Sequence, residues 1–164
     1  MKMYGRGQSR SLRGVWALLE CGIAFDYVHV DPSTLGFDYA TINSQQKVPT
    51  LTDGDLVLTE SAAIVNYAGN RSGKYMATDA VERAVYDNFC YFIMTDLEQP
   101  LWTIGKHRFA LPEEHRQEAI FSTAIFEFAK AQSALQALRQ DQAYALGYSF
   151  SLADVLKAQT LNWA

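Results

Sequence analysis

The sequence predicts an α/β domain with a mixed sheet, followed by an all-α helical domain. Two observations predict this order. Short strand patterns alternate with helical patterns as far as Arg71, and an Asp-Gly hairpin signal separates two of the strands. Beyond residues 70–79 the strand patterns disappear, and the chain is rich in Ala, Glu, Gln, Leu and Phe. We therefore place the first domain at residues 1–71 and the second at residues 79–164.

The first half of the α/β domain has the pattern strand, helix, strand. Met3 and Tyr4 form a brief strand. Apolar side chains then recur at helical spacing, with Gly22 where a C-cap belongs: Leu12, Val15, Trp16, Leu19 and Ile23. Residues 25–30, FDYVHV, alternate and are rich in β-formers, which is typical of a strand.

The second half of this domain has the pattern strand, strand, helix. Two short apolar runs flank residues 52–55, TDGD, and helical spacing resumes at Ala62, Ile64, Val65 and Ala68. A helical crossover implies a parallel pair of strands, whereas the hairpin adds an antiparallel pair. The order β-α-β and then β-β-α, with a mixed sheet, is that of a thioredoxin-like domain.

The rest of the chain is predicted to be helical over residues 80–109 and 112–139, with a third helix near the end. Pro100 is expected to kink the first helix. Pro112 and two acids open the second helix, and Ser151 and Asp154 open the third with capping-box spacing. The chain stops at Ala164 inside an apolar-faced helix with no residue that ends a helix. We therefore expect this domain to be incomplete at its C-terminus.

Composition excludes several classes of protein. Of 164 residues, 49% are hydrophobic, and 14 Lys and Arg stand against 18 Asp and Glu, so no basic excess matches a nucleic-acid backbone. No apolar run is long enough to span a membrane, and the start lacks a signal-peptide core. Cys21 and Cys90 have neither C-x-x-C nor metal-ligand spacing. We expect buried free thiols, no metal, and a cytoplasmic protein.

Three stretches resemble the cytosolic glutathione transferase family: YGRGQSRSLRGVWALLECGIAFDYVHVD, QKVPTLTDGDLVLTESAAIVNY and GYSFSLADV. The resemblance covers nearly the whole chain and is of the serine-using type. It implies glutathione as co-substrate, a small hydrophobic electrophile as second substrate, and a homodimer. Glutathione-dependent isomerase or peroxidase chemistry is an alternative on the same scaffold. A non-catalytic binding or regulatory protein is another, because a fold does not fix a function.

The resemblance places glutathione on the segment 45–61. It implies a cis Val48–Pro49 bond that turns the backbone groups of Val48 toward the cysteinyl part of the peptide. Glu60 and Ser61 lie at a helix start, where helix N–H groups and a hydroxyl suit a carboxylate. Gln46 and Lys47 are expected near the glycine end. The plainer interpretations are a capped helix start, in which Thr59 or Ser61 satisfies the backbone and Glu60 favours the helix dipole, and a solvated charge for Lys47.

The catalytic candidates are Ser9 and Ser11. A free thiol is mostly protonated at neutral pH, and a hydroxyl donating to the sulfur at a helix start would favour the thiolate. Ser9 fits the run YGRGQS and is our first assignment. Ser11 is the alternative, because alignment through the following helix brings it close to the same corner. One of the two is expected only to cap the helix, and Arg10 or Arg13 either adds positive potential or faces water.

The second substrate is expected against the helical domain. The stretch YFIMTDLEQPLWTIGKHRF is dense in aromatic residues, and Tyr91, Trp102 and Phe109 are our candidates for an apolar pocket. Aromatic side chains at helical spacing more often form core than pocket. His107 is either an acid or base near the site or an ordinary surface histidine.

Overall fold

The computed structural model describes residues 1–31, 37–139 and 142–164. Its first unit, Met1–Met76, contains a four-stranded sheet. The strands are β1 (Lys2–Gly5), β2 (Asp26–His29), β3 (Thr50–Asp53) and β4 (Leu56–Leu58), in the order β2-β1-β3-β4. β1 is parallel to β2 and antiparallel to β3, and β3 and β4 form a hairpin. The predicted mixed sheet is confirmed.

The hairpin connects β3 and β4 through a two-residue loop, Gly54 and Asp55. Asp53 pairs with Leu56, so it belongs to the ladder rather than to the loop. Gly54 has φ of 58°, which a glycine adopts without steric cost. The Asp-Gly signal therefore located the turn, with the glycine as the first of its two central residues.

Three helices accompany the sheet: α1 (Ser11–Glu20), α2 (Phe37–Ile42) and α3 (Ser61–Ser72). α1 and α3 were predicted, whereas α2 was not. α2 has six residues and combines Phe, Tyr, Thr and Ile, which are weak helix formers, so its sequence carries little periodic signal. Its buried Tyr39 hydrogen-bonds through the hydroxyl to the carbonyl oxygen of Lys47 at 2.7 Å, and this contact fixes the chain before β3.

The core of this unit lies between the sheet and the pair α1 and α3. Met3, Leu18, Leu51, Ile64, Val65 and Ala68 are fully buried. Gly14 allows the close approach of these elements, because a Cβ at this position would lie 2.6 Å from Met3 Cε and 2.9 Å from Ile64 Cγ2. The first turn of α1 is thereby held against both β1 and α3.

The end of β3 is joined to α3 by a charged cluster. Asp53 Oδ2 accepts hydrogen bonds from the Tyr67 hydroxyl at 2.6 Å and from Arg71 Nη1 at 2.5 Å. Arg71 Nη1 also donates to the Tyr67 oxygen at 2.9 Å. The hydrogen bond from Tyr67, and then the charge of Arg71, hold the pKa of Asp53 below its ordinary value. The ionised carboxylate is therefore favoured in the folded chain.

This cluster predicts an acid-dependent loss of stability. A carboxyl group whose pKa is lower in the folded chain than in the unfolded chain stabilises the fold. This stabilisation is complete above the unfolded pKa, and it is lost as the pH falls through the folded pKa. We expect the free energy of unfolding to fall more steeply below about pH 4 in the wild type than in Asp53→Asn. Denaturant unfolding at a series of pH values measures this difference, which added salt should reduce. Equal slopes in the two proteins would contradict the prediction.

The second unit, Ala77–Ala164, begins with one long helical run. It comprises α4 (Ala80–Phe92), a π-helical turn (Ile93–Leu97), α5 (Glu98–Gly105) and a second π-helical turn (Lys106–Ala110). Pro100 has no N–H to give to the carbonyl of Asp96, four residues earlier. Asp96 lies within the first π-helical turn, so the irregularity expected at Pro100 is found one turn before it.

The next helix, α6 (Phe121–Arg139), begins nine residues later than predicted. Pro112 was expected to open it, but Pro112, Arg116 and Gln117 have extended ψ angles of 145°, 136° and 101°. Only two short 3-10 turns, Glu113–His115 and Glu118–Ile120, interrupt this stretch. The Arg116 side chain donates to the carbonyl oxygen of Leu111 at 2.9 Å, and this local bond replaces a first helical turn.

The last helix, α7 (Leu152–Trp163), is preceded by the predicted capping box of Ser151 and Asp154. Asp154 is buried and accepts from the backbone N–H of Ser151 at 3.1 Å and of Ala145 at 2.7 Å. Lys157 Nζ, also buried, lies 2.9 Å from Asp154 Oδ1. One carboxylate thus connects the helix start, the preceding segment and a buried cation.

Both cysteines are buried and free, as predicted. Burial raises the pKa of Cys90 to about 12, so its thiol is protonated at neutral pH. Across residues 1–31, 37–139 and 142–164 there is no helix with the length and apolarity needed to cross a bilayer. The same residues contain no cluster of three or more His, Cys, Asp or Glu that could hold a metal ion.

Candidate functional site

The two candidate serines are in direct contact just before and at the start of α1. Ser9 Oγ lies 2.7 Å from the carbonyl oxygen of Arg6 and 2.9 Å from Ser11 Oγ, and it can donate to either. Ser11 donates its backbone N–H to Ser9 Oγ at 3.2 Å. Ser9 is half-buried, whereas Ser11 is only 1% exposed. Ser9 therefore carries the hydroxyl that a ligand can reach, and the buried Ser11 hydrogen-bonds to it from the protein interior.

The end of β1 packs tightly against this pair. A Cβ at Gly5 would lie 2.7 Å from the Cβ of Ser11 and 3.2 Å from the ring of Tyr27. The backbone N–H of Arg6 donates to Ser11 Oγ at 3.2 Å. Glycine at this position lets the strand end and the helix start meet, and this places the serine pair at one end of the sheet.

A cavity of about 230 Å³ opens beside the serine pair. Most of its wall is apolar, and it is lined by Arg6, Gly7, Gln8, Ser11, Leu12, Val15 and Tyr27. Burial raises the pKa of Tyr27, so its hydroxyl is neutral and can donate a hydrogen bond at neutral pH. An engineered cavity of roughly 150 Å³ holds benzene, so the space here suits one small apolar group.

The Val48–Pro49 peptide bond is cis, as predicted. On its N-terminal side the Lys47 carbonyl accepts from the Tyr39 hydroxyl at 2.7 Å and from Asn43 Nδ2 at 2.8 Å. On its C-terminal side Thr50 starts β3 and pairs with Tyr4 of β1. Within the described residues the backbone N–H and C=O of Val48 take part in no hydrogen bond. Both groups are free to pair with an extended peptide.

Gln46 and Lys47 carry exposed side chains on the turn before this bond. Gln46 has φ of 52°, and its N–H donates to the carbonyl oxygen of Asn43 at 2.9 Å. The backbone of the turn is thus fixed while both side chains remain in solvent. Their assignment to the glycine end of a ligand stays a prediction.

Glu60 and Ser61 lie at the start of α3, as predicted. Glu60 is the N-cap residue, its side chain is exposed, and it makes no capping hydrogen bond. The side chain of Glu60 therefore leaves the N–H groups of the helix start available to an anion, while its negative charge still favours the helix dipole. Ser61 is only 2% exposed, and its Oγ accepts a hydrogen bond from Arg13 Nη1 at 3.3 Å.

The three parts of the site meet at one end of the sheet. β1 runs to Gly5, which packs on Ser11, and its Tyr4 pairs with Thr50, two residues after Val48. Arg13 of α1 in turn reaches Ser61 of α3. A free peptide edge, a helix start and an accessible hydroxyl are thus connected through short contacts within residues 1–76.

Comparison with known proteins identifies the family. The model of the glutathione S-transferase N-terminal domain matches residues 1–70. A theta-1 glutathione S-transferase of Bos taurus is 30% identical over 125 residues, which are 72% of this chain and 52% of that protein. The chain belongs to the glutathione S-transferase family.

Solved structures of family members superpose on this one over most of its length. The theta class glutathione S-transferase of Xanthomonas axonopodis pv. citri, solved with glutathione bound, has a TM-score of 0.80 and 26% identity, covering 95% of this chain and 78% of that one. A ternary complex of BphK, a bacterial glutathione S-transferase, has a TM-score of 0.86 and 26% identity, with coverages of 99% and 82%. The predicted fold class is thereby confirmed.

Another curated relative carries a different name. A stringent starvation protein A homolog of Haemophilus ducreyi is 35% identical over 54 residues, which are 33% of this chain and 25% of that protein. This family member therefore spans about half of one curated relative and a quarter of the other.

The aromatic candidates of this family member all lie on the long helical run of the second unit. Tyr91 and Phe109 are 67% and 64% exposed. Trp102 is half-buried, and its ring lies 6.1 Å from that of Trp163. Phe109 and Trp102 flank Gly105, at 3.3 and 3.5 Å from the position of a Cβ there. Trp102 and Phe109 are thus neighbours on the helix, and their contact with a substrate stays a prediction.

For Arg13 and His107 the sequence left two alternatives each, and the structure differs from one of them in both cases. Arg13, which was expected to add positive potential or to face water, is fully buried between α1 and α3. His107 accepts the backbone N–H of Gln117 through Nδ1 at 3.0 Å, so it fixes the segment before α6. No local sequence pattern signals the contact of Arg13 with Ser61, because the two residues lie 48 positions apart.

Proposed function

We propose that this chain binds glutathione on the segment 45–61 and conjugates its thiolate to small hydrophobic electrophiles. The observation that carries the proposal is the free backbone of Val48 at the same end of the sheet as the start of α3 and the Ser9 hydroxyl. Glutathione needs a peptide edge, donors for its carboxylates and a donor for its sulfur. The relative from Xanthomonas axonopodis pv. citri was solved with this tripeptide bound.

Each part of the tripeptide has a proposed partner. The cysteinyl backbone pairs with the N–H and C=O of Val48, with Pro49 behind it. The γ-glutamyl carboxylate takes the N–H groups at the start of α3 and the hydroxyl of Ser61, and its ammonium group meets Glu60. Gln46 and Lys47 contact the carboxylate of the glycine. The α3 start suits an anion because no side chain of Glu60 caps it.

Ser9 is the proposed donor to the sulfur. At neutral pH only a few per cent of a free thiol, with a pKa near 8.5, is ionised. A hydroxyl that donates to sulfur, together with the N-terminal end of α1, favours the thiolate. To do this, Ser9 turns its proton from the Arg6 carbonyl or Ser11 Oγ to the ligand, while the Ser11 N–H still holds its oxygen.

Retention on immobilised glutathione and isothermal titration with glutathione test the binding half of the proposal. We expect binding that free glutathione competes away. Initial rates with a panel of aryl halides, unsaturated carbonyl compounds and hydroperoxides then separate conjugation from isomerase or peroxidase chemistry. If no glutathione is bound, the transferase proposal is wrong and the regulatory hypothesis replaces it. The relative named as a stringent starvation protein A homolog favours that hypothesis as the second candidate.

We propose two alternative locations for the subsite that binds the electrophile. One is the cavity beside Ser11, and the other is the surface of Tyr91, Trp102 and Phe109. Leu12→Trp fills the cavity from a residue that is 43% exposed, and it is expected to raise the KM of an aryl electrophile about tenfold. The KM of glutathione should stay unchanged. If Phe109→Ala raises the electrophile KM and Leu12→Trp does not, the subsite lies on the helical unit.

We also propose a cytoplasmic homodimer in which the α/β domain of one subunit meets the helical domain of the other. Exposed apolar side chains on the second unit, such as Val81, Val85 and Phe126, are available for such a contact. Sedimentation equilibrium measures the assembly state. A monomer at micromolar concentration would contradict the dimer without touching the proposed chemistry.

A further inference from the structure

Among the residues of the first unit that the structure describes, Arg13 is the largest fully buried side chain, with 0% of its surface exposed. Arginine is almost never fully buried unless it is paired, because a buried guanidinium loses its hydration. The N–H donors of a buried guanidinium therefore need partners within the protein, and one of these partners belongs to α3.

One hydrogen bond of Arg13 reaches the first residue of α3. Arg13 Nη1 donates to Ser61 Oγ at 3.3 Å, and both side chains are buried. Arg13 lies on the first turn of α1, two residues after Ser11. The bond therefore connects the helix that starts at the serine pair with the helix whose start is the proposed carboxylate site. Gly14 allows this by bringing α1 close to Ile64 of α3.

The chemistry of the two groups fixes the direction of the hydroxyl. A guanidinium has five N–H donors and no acceptor, so in this pair the serine oxygen accepts. The Ser61 proton must then be donated elsewhere, and within the described residues it has no acceptor. A charged donor also polarises the hydroxyl and strengthens the bond that it donates in turn.

We infer that Arg13 is a positioning residue that makes the Ser61 hydroxyl a dedicated donor to the γ-glutamyl carboxylate. This inference rests on the proposed binding of glutathione. It assigns Arg13 no contact with the ligand, because the residue is fully buried and acts through Ser61. The expected effect on affinity is selective. Arg13 strengthens the binding only of ligands that carry the γ-glutamyl carboxylate, because only these ligands accept the hydrogen bond from Ser61.

The test compares two ligands, glutathione and its analogue without the γ-glutamyl α-carboxylate, on four proteins. The wild type is expected to bind glutathione about ten- to hundredfold more tightly than the analogue, as suits hydrogen bonds to a charged group. Arg13→Met, which keeps much of the volume and removes the charge, should lose most of this preference. Ser61→Ala should lose a similar part, and the double variant should lose no more than either single variant.

Controls separate positioning from stability and from the proposed function itself. Arg13→Lys keeps a charged donor and should restore part of the preference for glutathione. The free energy of unfolding is expected to change in both Arg13→Met and Arg13→Lys, so the preference and not the stability distinguishes the two variants. A purely structural role predicts weaker binding of both ligands by the same factor, and this would overturn the inference. If the wild type binds neither ligand, the proposed function fails. If it binds glutathione and Arg13→Met keeps the full preference, only the role of Arg13 fails.

Discussion

Replacing Ser9 with alanine is expected to lower the rate constant of conjugation about 10²- to 10³-fold, the usual cost of removing one donor to a developing or stabilised anion. In the proposed mechanism the Ser9 hydroxyl gives up its bond to the Arg6 carbonyl or to Ser11 Oγ and donates to the sulfur of glutathione. Without it, bound glutathione should ionise at a higher pH. Ultraviolet titration of the thiolate on the enzyme, together with the pH–rate profile, measures both effects. Affinity for glutathione at low pH should change little.

Ser11→Ala is the matched control for this prediction. Ser11 is buried and its Oγ accepts the backbone N–H of Arg6, so its removal leaves that N–H without its partner. We expect a loss of about 1–3 kcal/mol in the free energy of unfolding and only a small change in the ionisation of the thiol. The opposite pattern, in which Ser11→Ala shifts the ionisation and Ser9→Ala does not, would transfer the role to Ser11.

Replacing Asp154 with alanine is expected to lower the free energy of unfolding by about 3–5 kcal/mol, the range for breaking a buried charge pair from one side. Its carboxylate accepts from the N–H of Ala145 and Ser151 and faces Lys157 Nζ at 2.9 Å. Alanine leaves these donors and the charge of Lys157 buried without that partner, and it removes the capping box of α7. Chemical denaturation followed by circular dichroism measures the loss.

Two further variants separate the contributions around Asp154. Lys157→Met removes the buried cation with little change in volume. In that background Asp154→Asn should cost much less than in the wild type, because no charge is left unpaired. Asp154→Asn alone should fall between the wild type and Asp154→Ala. A loss below about 1 kcal/mol for Asp154→Ala would show that water replaces the buried network, against the prediction.

Local sequence signals predicted the parts of the molecule that depend on neighbouring residues. The Asp-Gly pair located the β3–β4 turn, and Ser151 with Asp154 located the start of α7, because turns and caps are decided within four residues. The cis bond before Pro49 came from the family resemblance, since proline alone favours trans. The positions of Glu60 and Ser61 at the start of α3 followed from the helical spacing behind them.

Contacts between distant segments could not be predicted in the same way. Periodicity describes Arg13 as a polar residue of an amphipathic helix, whereas its burial depends on Ser61, 48 positions further along. Pro112 carries a valid helix-start signal, but hydrogen bonds from Arg116 and to His107 hold residues 112–117 in another conformation. The six residues of α2 are too few for a period, and α2 is held by the contacts of Tyr39.

A crystal structure of the chain with glutathione is the most direct test of the proposed site. We expect the cysteinyl backbone to pair with the N–H and C=O of Val48 and the γ-glutamyl carboxylate to accept from Ser61 Oγ. The sulfur should lie within hydrogen-bonding distance of Ser9 Oγ. Glutathione bound away from Val48, or a sulfur that faces neither Ser9 nor Ser11, would contradict the transferase site described above.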